Sequence, residues 1–124
     1  MSSSKWVVLK FGGTSVATAA RWQNIIAEMK RCERNGERPC VVVSAITTIT
    51  NRMSHCVEEA LHNISPKKEG SAFQGVCDVH IKLIKDLGLL EIAQDTTNPN
   101  SIFIKEGIDA VHALLDDLEQ LLNG

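Results

Sequence analysis

One stretch constrains the possible folds of this chain more than any other. It is a short apolar run followed by a lysine, two glycines and two hydroxyl residues. Residues 7–9 (Val-Val-Leu) show no polar alternation, which is typical of a parallel strand buried on both faces of its sheet. Gly12 and Gly13 follow, and they let the backbone turn tightly and approach a ligand because they carry no Cβ. Lys10 lies where the strand meets the turn, and Thr14 and Ser15 add hydroxyl donors. Together these residues predict a phosphate cradle at the carboxyl end of a parallel strand.

This cradle differs from the two common phosphate-binding loops. In a P-loop the lysine follows the last glycine, whereas Lys10 precedes both glycines, and the chain contains no GxGxxG. A bare Lys-x-Gly-Gly is a weak signal, since many tight turns that follow strands share it. A purely structural turn is therefore the alternative interpretation of these four residues.

A helix and a second strand follow the turn. Thr18 is a candidate N-cap, and Asn35-Gly36 is a stop signal. Between them, apolar residues recur at the spacing of one helical face: Trp22, Ile25, Ile26 and Met29. Residues 40–43 (Cys-Val-Val-Val) then predict a second buried strand. A strand–helix–strand order predicts a right-handed βαβ unit, which brings both strand ends to the sheet edge where open α/β sheets bind ligands.

The remainder of the chain has helical patterns. We expect three helices, over residues 51–64, over residues 73–87 with Gly88 as the stop, and from Ser101 or Ile102 to Leu122. Residues 95–100 form the clearest loop. Two strands seldom make a stable parallel sheet covered on both faces, so we expect residues 1–124 to be the opening, incomplete part of one larger domain.

Composition narrows the class of protein. Hydrophobic residues make up 44% and charged residues 23%, as in an ordinary globular chain. A net charge of −2 gives no electrostatic reason to expect nucleic acid or an anionic membrane as a partner. The first apolar run is too short for a signal peptide or a membrane span, so we expect a cytoplasmic protein. The four cysteines (Cys32, Cys40, Cys56, Cys77) lack CxxC spacing, which predicts reduced core residues and no metal site.

Two blocks of sequence resemble one known family. Residues 10–16 (Lys-Phe-Gly-Gly-Thr-Ser-Val) resemble the amino-terminal signature of the aspartate kinases, which belong to the amino-acid kinase superfamily. Residues 41–51 are similar to the next segment of that family, where a strand ends in Ser-Ala and a Thr-Asn pair follows. Residues 46–48 (Ile-Thr-Thr) stand where the family has a small, glycine-containing stretch. The resemblance implies the opening βαβ unit and following helices of a carbamate kinase-like three-layer αβα sandwich.

The resemblance also implies an activity, namely ATP-dependent phosphorylation of the side-chain carboxylate of L-aspartate to 4-phospho-L-aspartate. This reaction is the first step of lysine, threonine and methionine biosynthesis. Mg²⁺ would be bound through the nucleotide, and a feedback-regulated homo-oligomer is expected. Lys10 would be catalytic. The phosphate and ATP contacts implied are Lys10, Gly12, Gly13, Thr14 and Ser15, and the aspartate contacts are Ser44, Thr50 and Asn51.

Alternatives remain at this stage. Thr14 and Thr50 could equally cap helices. Another superfamily member, acting on glutamate, acetylglutamate or a nucleotide, would share Lys-x-Gly-Gly, and a non-catalytic module could use the apolar helices to bind a partner. No segment after Gly88 matches the family's nucleotide pocket, so we expect the isolated chain to be inactive.

Overall fold

The computed structural model describes residues 3–124, and the chain divides into two compact units at Thr48. The first unit contains β1 (Trp6–Phe11), α1 (Ala19–Arg34) and β2 (Arg38–Val43). The second unit contains only helices: α2 (Ile49–Leu61), α3 (Ala72–Asp86), α4 (Leu89–Gln94) and α5 (Ser101–Asn123). The predicted α/β class with an opening βαβ unit is confirmed.

The two strands form a parallel pair. Their register runs from Trp6 opposite Arg38 to Phe11 opposite Val43, so both strands end at the same edge of the sheet. α1, which connects them, packs against β2. The segments that follow Phe11 and Val43 therefore leave the sheet side by side.

The sheet is covered less than the sequence predicts. Burial alternates along β1: Val7, Leu9 and Phe11 are half-buried, whereas Trp6 is 61% and Val8 68% exposed. The prediction of a strand buried on both faces is wrong, because α1 is the one helix of this unit and a helix covers a single face. Arg38 partly shields Trp6, with its guanidinium carbon 4.8 Å from the centre of the indole ring.

α1 begins and ends at the predicted residues. Thr18 is the N-cap, and its hydroxyl accepts from the amide of Arg21 at 3.3 Å. Ile25 and Cys32 are buried, and Gly36 follows the helix with a φ of 73°, where glycine carries no steric penalty.

In the second unit, α2 packs against α3, and α5 packs against α2, α3 and α4. The sequence analysis missed α4, because a helix of six residues is too short to show a stripe. The apolar residues of α2 are only partly buried: Cys56 lies inside, but Met53, Val57 and Leu61 are exposed.

All four cysteines are free thiols. Cys32 and Cys56 are buried, as predicted, whereas Cys40 is exposed and the prediction that it is a core residue is wrong. Burial raises the pKa of the Cys56 and Cys77 thiols, which disfavours the reactive thiolate. In the described part of the chain, no helix is long and apolar enough to cross a membrane.

Candidate functional site

The segment between β1 and α1 is a pair of successive turns. The Ser15 amide donates to the Gly12 carbonyl at 3.0 Å, and the Ala17 amide donates to the Thr14 carbonyl at 3.4 Å. Among residues 3–124, the amides of Gly12, Gly13 and Thr14 donate to no protein acceptor. Three adjacent N–H groups are thus available to an anion at the end of the strand.

The loop after β2 is hydrogen-bonded to the end of β1 and to this turn. The Ser44 amide donates to the Phe11 carbonyl at 3.2 Å, and the Thr47 amide donates to the Gly13 carbonyl at 3.1 Å. The first bond keeps the register of the parallel pair, and the second is one residue out of that register. The structure therefore places residues 12–15 and residues 44–47 side by side, as the βαβ topology predicts.

Gly13 makes this close approach possible. A Cβ at Gly13 would lie 2.9 Å from the Ala45 carbonyl oxygen, closer than real Cβ contacts come, and 3.0 Å from the Thr47 nitrogen, which is also tight. At Gly12, by contrast, a Cβ would meet nothing within 4 Å. Gly13 is thus a packing position between two loops, and Gly12 is open on its Cβ side.

Lys10 lies on the open face of the sheet. It shares the exposed side of β1 with Trp6 and Val8, and it pairs in register with Val42. In the part of the chain that the structure describes, Lys10 forms no ion pair with a carboxylate. Its charge is therefore not neutralised by the protein, which suits a lysine that meets a phosphate.

The proposed acceptor residues fall in both units. Ser44 is exposed beside the turn, and its hydroxyl donates to the Ala45 carbonyl at 3.1 Å. Thr50 and Asn51 are exposed in the first turn of α2, in the second unit. Their assignment to aspartate stays a prediction.

The capping alternative is wrong for both threonines. Thr50 is the second residue of α2 and so lies inside the helix, where its carbonyl accepts from the Ser54 hydroxyl at 3.3 Å. Thr14 lies four positions before Thr18, which is the residue that caps α1.

Sequence analysis missed the conformation of Thr48. Its φ is 71°, in the left-handed region that a β-branched residue rarely adopts. Such a conformation costs about 1–3 kcal/mol and persists where the surrounding structure imposes it. The signal was the unusual stretch at residues 46–48, which stands where the family has a glycine-containing sequence.

The donors present fit a nucleotide phosphate better than a metal ion held by side chains. Available amides beside a lysine are the groups that bind phosphate. Within residues 3–124, no three His, Cys, Asp or Glu side chains are grouped so that they could hold a metal.

A family model and known proteins are similar to this chain. The model of the amino acid kinase family matches residues 5–117. The chain is 34% identical over 62 residues to an aspartokinase of Pseudomonas aeruginosa, a match that covers 50% of this chain and 15% of that protein. It is 29% identical over 118 residues to the chloroplastic aspartokinase 1 of Arabidopsis thaliana, covering 94% of this chain and 17% of that protein. The chain thus spans a small part of the length of these relatives, and no solved structure matches it.

Proposed function

Because the chain belongs to the amino acid kinase family, we propose that it is the opening part of the catalytic domain of an aspartate kinase. The reaction would transfer the γ-phosphoryl group of ATP to the side-chain carboxylate of L-aspartate and yield 4-phospho-L-aspartate. One observation carries this proposal: three available amides follow Lys10 in the sequence, in a turn that is hydrogen-bonded to the loop of Ser44. The similarity to two aspartokinases supports aspartate as the acceptor.

The chemistry requires positioning and charge neutralisation, and no general base. A carboxylate with a pKa of about 3.9 is already ionised at neutral pH. The obstacle is the repulsion between this anion and the γ-phosphate, together with the charge that spreads over the phosphoryl oxygens during transfer. Lys10 and the amides of Gly12, Gly13 and Thr14 would stabilise that charge, and Mg²⁺ bound to the nucleotide would share the task.

The acceptor would be held by hydroxyl and amide groups. We assign Ser44, Thr50 and Asn51 to L-aspartate, because all three are exposed and polar and all three belong to the second sequence block that resembles the family. The full-length protein would then act at the start of lysine, threonine and methionine synthesis. We further propose a cytoplasmic, feedback-regulated homo-oligomer.

A substrate panel tests the proposal. The full-length protein is incubated with Mg-ATP and L-aspartate, L-glutamate or N-acetylglutamate, and ADP release is measured together with trapping of the acyl phosphate by hydroxylamine. We expect trapped product with aspartate alone. Product with glutamate or acetylglutamate instead would assign the chain to another branch of the family. ATP binding without any product would favour a non-catalytic module.

A further inference from the structure

The first turn of α2 has two different sides. Ile49 and Cys56, which are 7% and 2% exposed, lie on the packed side of the helix together with the partly buried Arg52. These positions have the i, i+3, i+7 spacing of a single helical face. Thr50 and Asn51 lie outside that face and are exposed. The two proposed acceptor residues therefore point away from the side by which α2 is attached.

An arginine on the packed side of an amphipathic helix is unusual. Arg52 fits there beside Gly75, which has no side chain. A Cβ at Gly75 of α3 would lie 2.5 Å from the Nη1 atom of Arg52, 3.5 Å from its Cζ and 3.9 Å from its Cδ. The guanidinium thus occupies the space that any side chain at position 75 would fill. A side chain at position 75 would therefore displace the Nη1 atom of Arg52.

A second contact joins the same two helices farther along. The Glu59 carboxylate accepts a hydrogen bond from the Ala72 amide at 2.9 Å, so it satisfies one of the free N–H groups at the start of α3. α2 is therefore hydrogen-bonded to α3 through Glu59 near its end, and it contacts α3 through Arg52 near its beginning. The contact made by Arg52 belongs to the turn that carries Thr50 and Asn51.

We infer that Arg52, seated on Gly75, is a positioning residue for the amino-acid acceptor: it holds the first turn of α2 so that Thr50 and Asn51 face the substrate. This inference rests on the proposed function. It predicts that displacement of the guanidinium weakens acceptor binding while the nucleotide site is unaffected, because the nucleotide contacts lie in the other unit of the chain.

Gly75→Ala tests the positioning role of Arg52 without removing the arginine. The added methyl group meets the end of a flexible side chain, so the helix tolerates it while the guanidinium must move. In the full-length protein we expect the KM for aspartate to rise on the order of tenfold, below the roughly 10²-fold loss caused by misplacement at a reacting centre. kcat and the KM for ATP should not change.

Gly107→Ala is the matched control. Gly107 also lies within a helix, but a Cβ there would meet nothing within 4 Å. Both substitutions give the helix the same favourable change in propensity, and only Gly75→Ala moves Arg52. Gly107→Ala should therefore leave the aspartate KM at the wild-type value.

A double-mutant cycle tests whether the effect of Gly75→Ala on the aspartate KM acts through Arg52. Arg52→Ala should raise the aspartate KM at least as much as Gly75→Ala, and adding Gly75→Ala to Arg52→Ala should have no further effect. If Gly75→Ala still raises KM in the absence of Arg52, or leaves KM unchanged in its presence, the inference is overturned. A fall in kcat with an unchanged aspartate KM would also overturn it.

Amide hydrogen exchange gives a readout that needs no activity. Gly75→Ala and Arg52→Ala should both accelerate exchange of the amides in residues 53–56, which donate to the carbonyls of the first turn of α2, and Gly107→Ala should not. Unchanged exchange in both variants would overturn the inference. A wild-type protein that does not phosphorylate aspartate would overturn the proposed function and the acceptor role, while the exchange data would still show whether Arg52 holds the turn.

Discussion

At the scale of single residues, the two adjacent glycines of the turn have different surroundings, and substitution should separate them. Gly13→Ala forces a methyl group against the Ala45 carbonyl and the Thr47 amide, which are backbone atoms that cannot yield cheaply. We expect a loss of about 1–3 kcal/mol in unfolding free energy, as for other overpacked sites. Gly12→Ala should leave stability unchanged and raise the KM for ATP, because its methyl group stands beside the available amides.

Chemical denaturation and steady-state kinetics of both variants measure these effects. Equal stability losses at the two positions would contradict the distinction drawn from the contacts of Gly13.

Lys10 is the residue expected to meet the charge that develops during transfer. Lys10→Ala in the full-length protein should lower kcat by about 10²-fold or more, with little change in the aspartate KM, as when one preorganised charge-stabilising group is removed. Lys30→Ala is the control, since Lys30 is exposed on α1, away from the turn. An unchanged kcat in Lys10→Ala would remove Lys10 from the catalytic site.

Thr50→Val in the full-length protein tests the assignment of Thr50 to the aspartate site. Valine keeps the shape and β-branching of threonine but leaves any charged partner of the hydroxyl unpaired. We expect aspartate affinity to fall by about 1.5–3 kcal/mol, or roughly ten- to 150-fold, with ATP affinity unchanged. Because Thr50 lies inside α2 and is not its N-cap, the melting temperature should not fall. An unchanged aspartate KM would show that Thr50 does not contact the substrate.

At the scale of elements, a buried hydroxyl caps the start of α3. Ser71 is 4% exposed, accepts from the Gln74 amide at 3.2 Å and donates to the Pro66 carbonyl at 2.8 Å. Ser71→Ala removes both bonds, and we expect a loss of about 1–2 kcal/mol in unfolding free energy.

Ser54→Ala is the comparison for Ser71→Ala. The Ser54 hydroxyl is exposed and bonds only the carbonyl four residues earlier in its own helix, so its loss should be nearly neutral. Urea denaturation of both variants measures the difference. Equal effects would mean that the Ser71 cap adds nothing to stability.

At the scale of the whole molecule, the chain exposes much apolar surface. Leu61, Phe103 and Leu121 are each at least 75% exposed, and one face of the sheet carries Trp6 and Val8. Surfaces of this kind, together with unpaired strand edges, favour association. We expect the isolated 124-residue chain to form dimers or larger assemblies and to show no aspartate kinase activity.

Light scattering and a phosphoryl-transfer assay on the purified chain check both expectations. A monodisperse monomer, or trapped acyl phosphate, would show that these residues form a self-sufficient unit.

The sequence by itself determined the features that depend on neighbouring residues. Thr18 begins α1, and Gly36 and Gly88 adopt the left-handed conformation at helix ends, because caps and stops are local chemistry. The βαβ order and the residue types of the turn could likewise be recognised from spacing alone. That order also predicted that the turn after β1 and the loop of Ser44 would meet.

Only the tertiary structure decided how segments distant in sequence touch. Periodicity predicts that α2 is amphipathic, but packing selected the side of Ile49 and Cys56 and left Val57 exposed. The approach of Gly13 to Ala45 and the seat of Arg52 on Gly75 depend on distances between separate elements, to which no local pattern corresponds. The exposure of Cys40 has the same origin, because a strand's apolar sequence does not reveal how many faces of its sheet are covered.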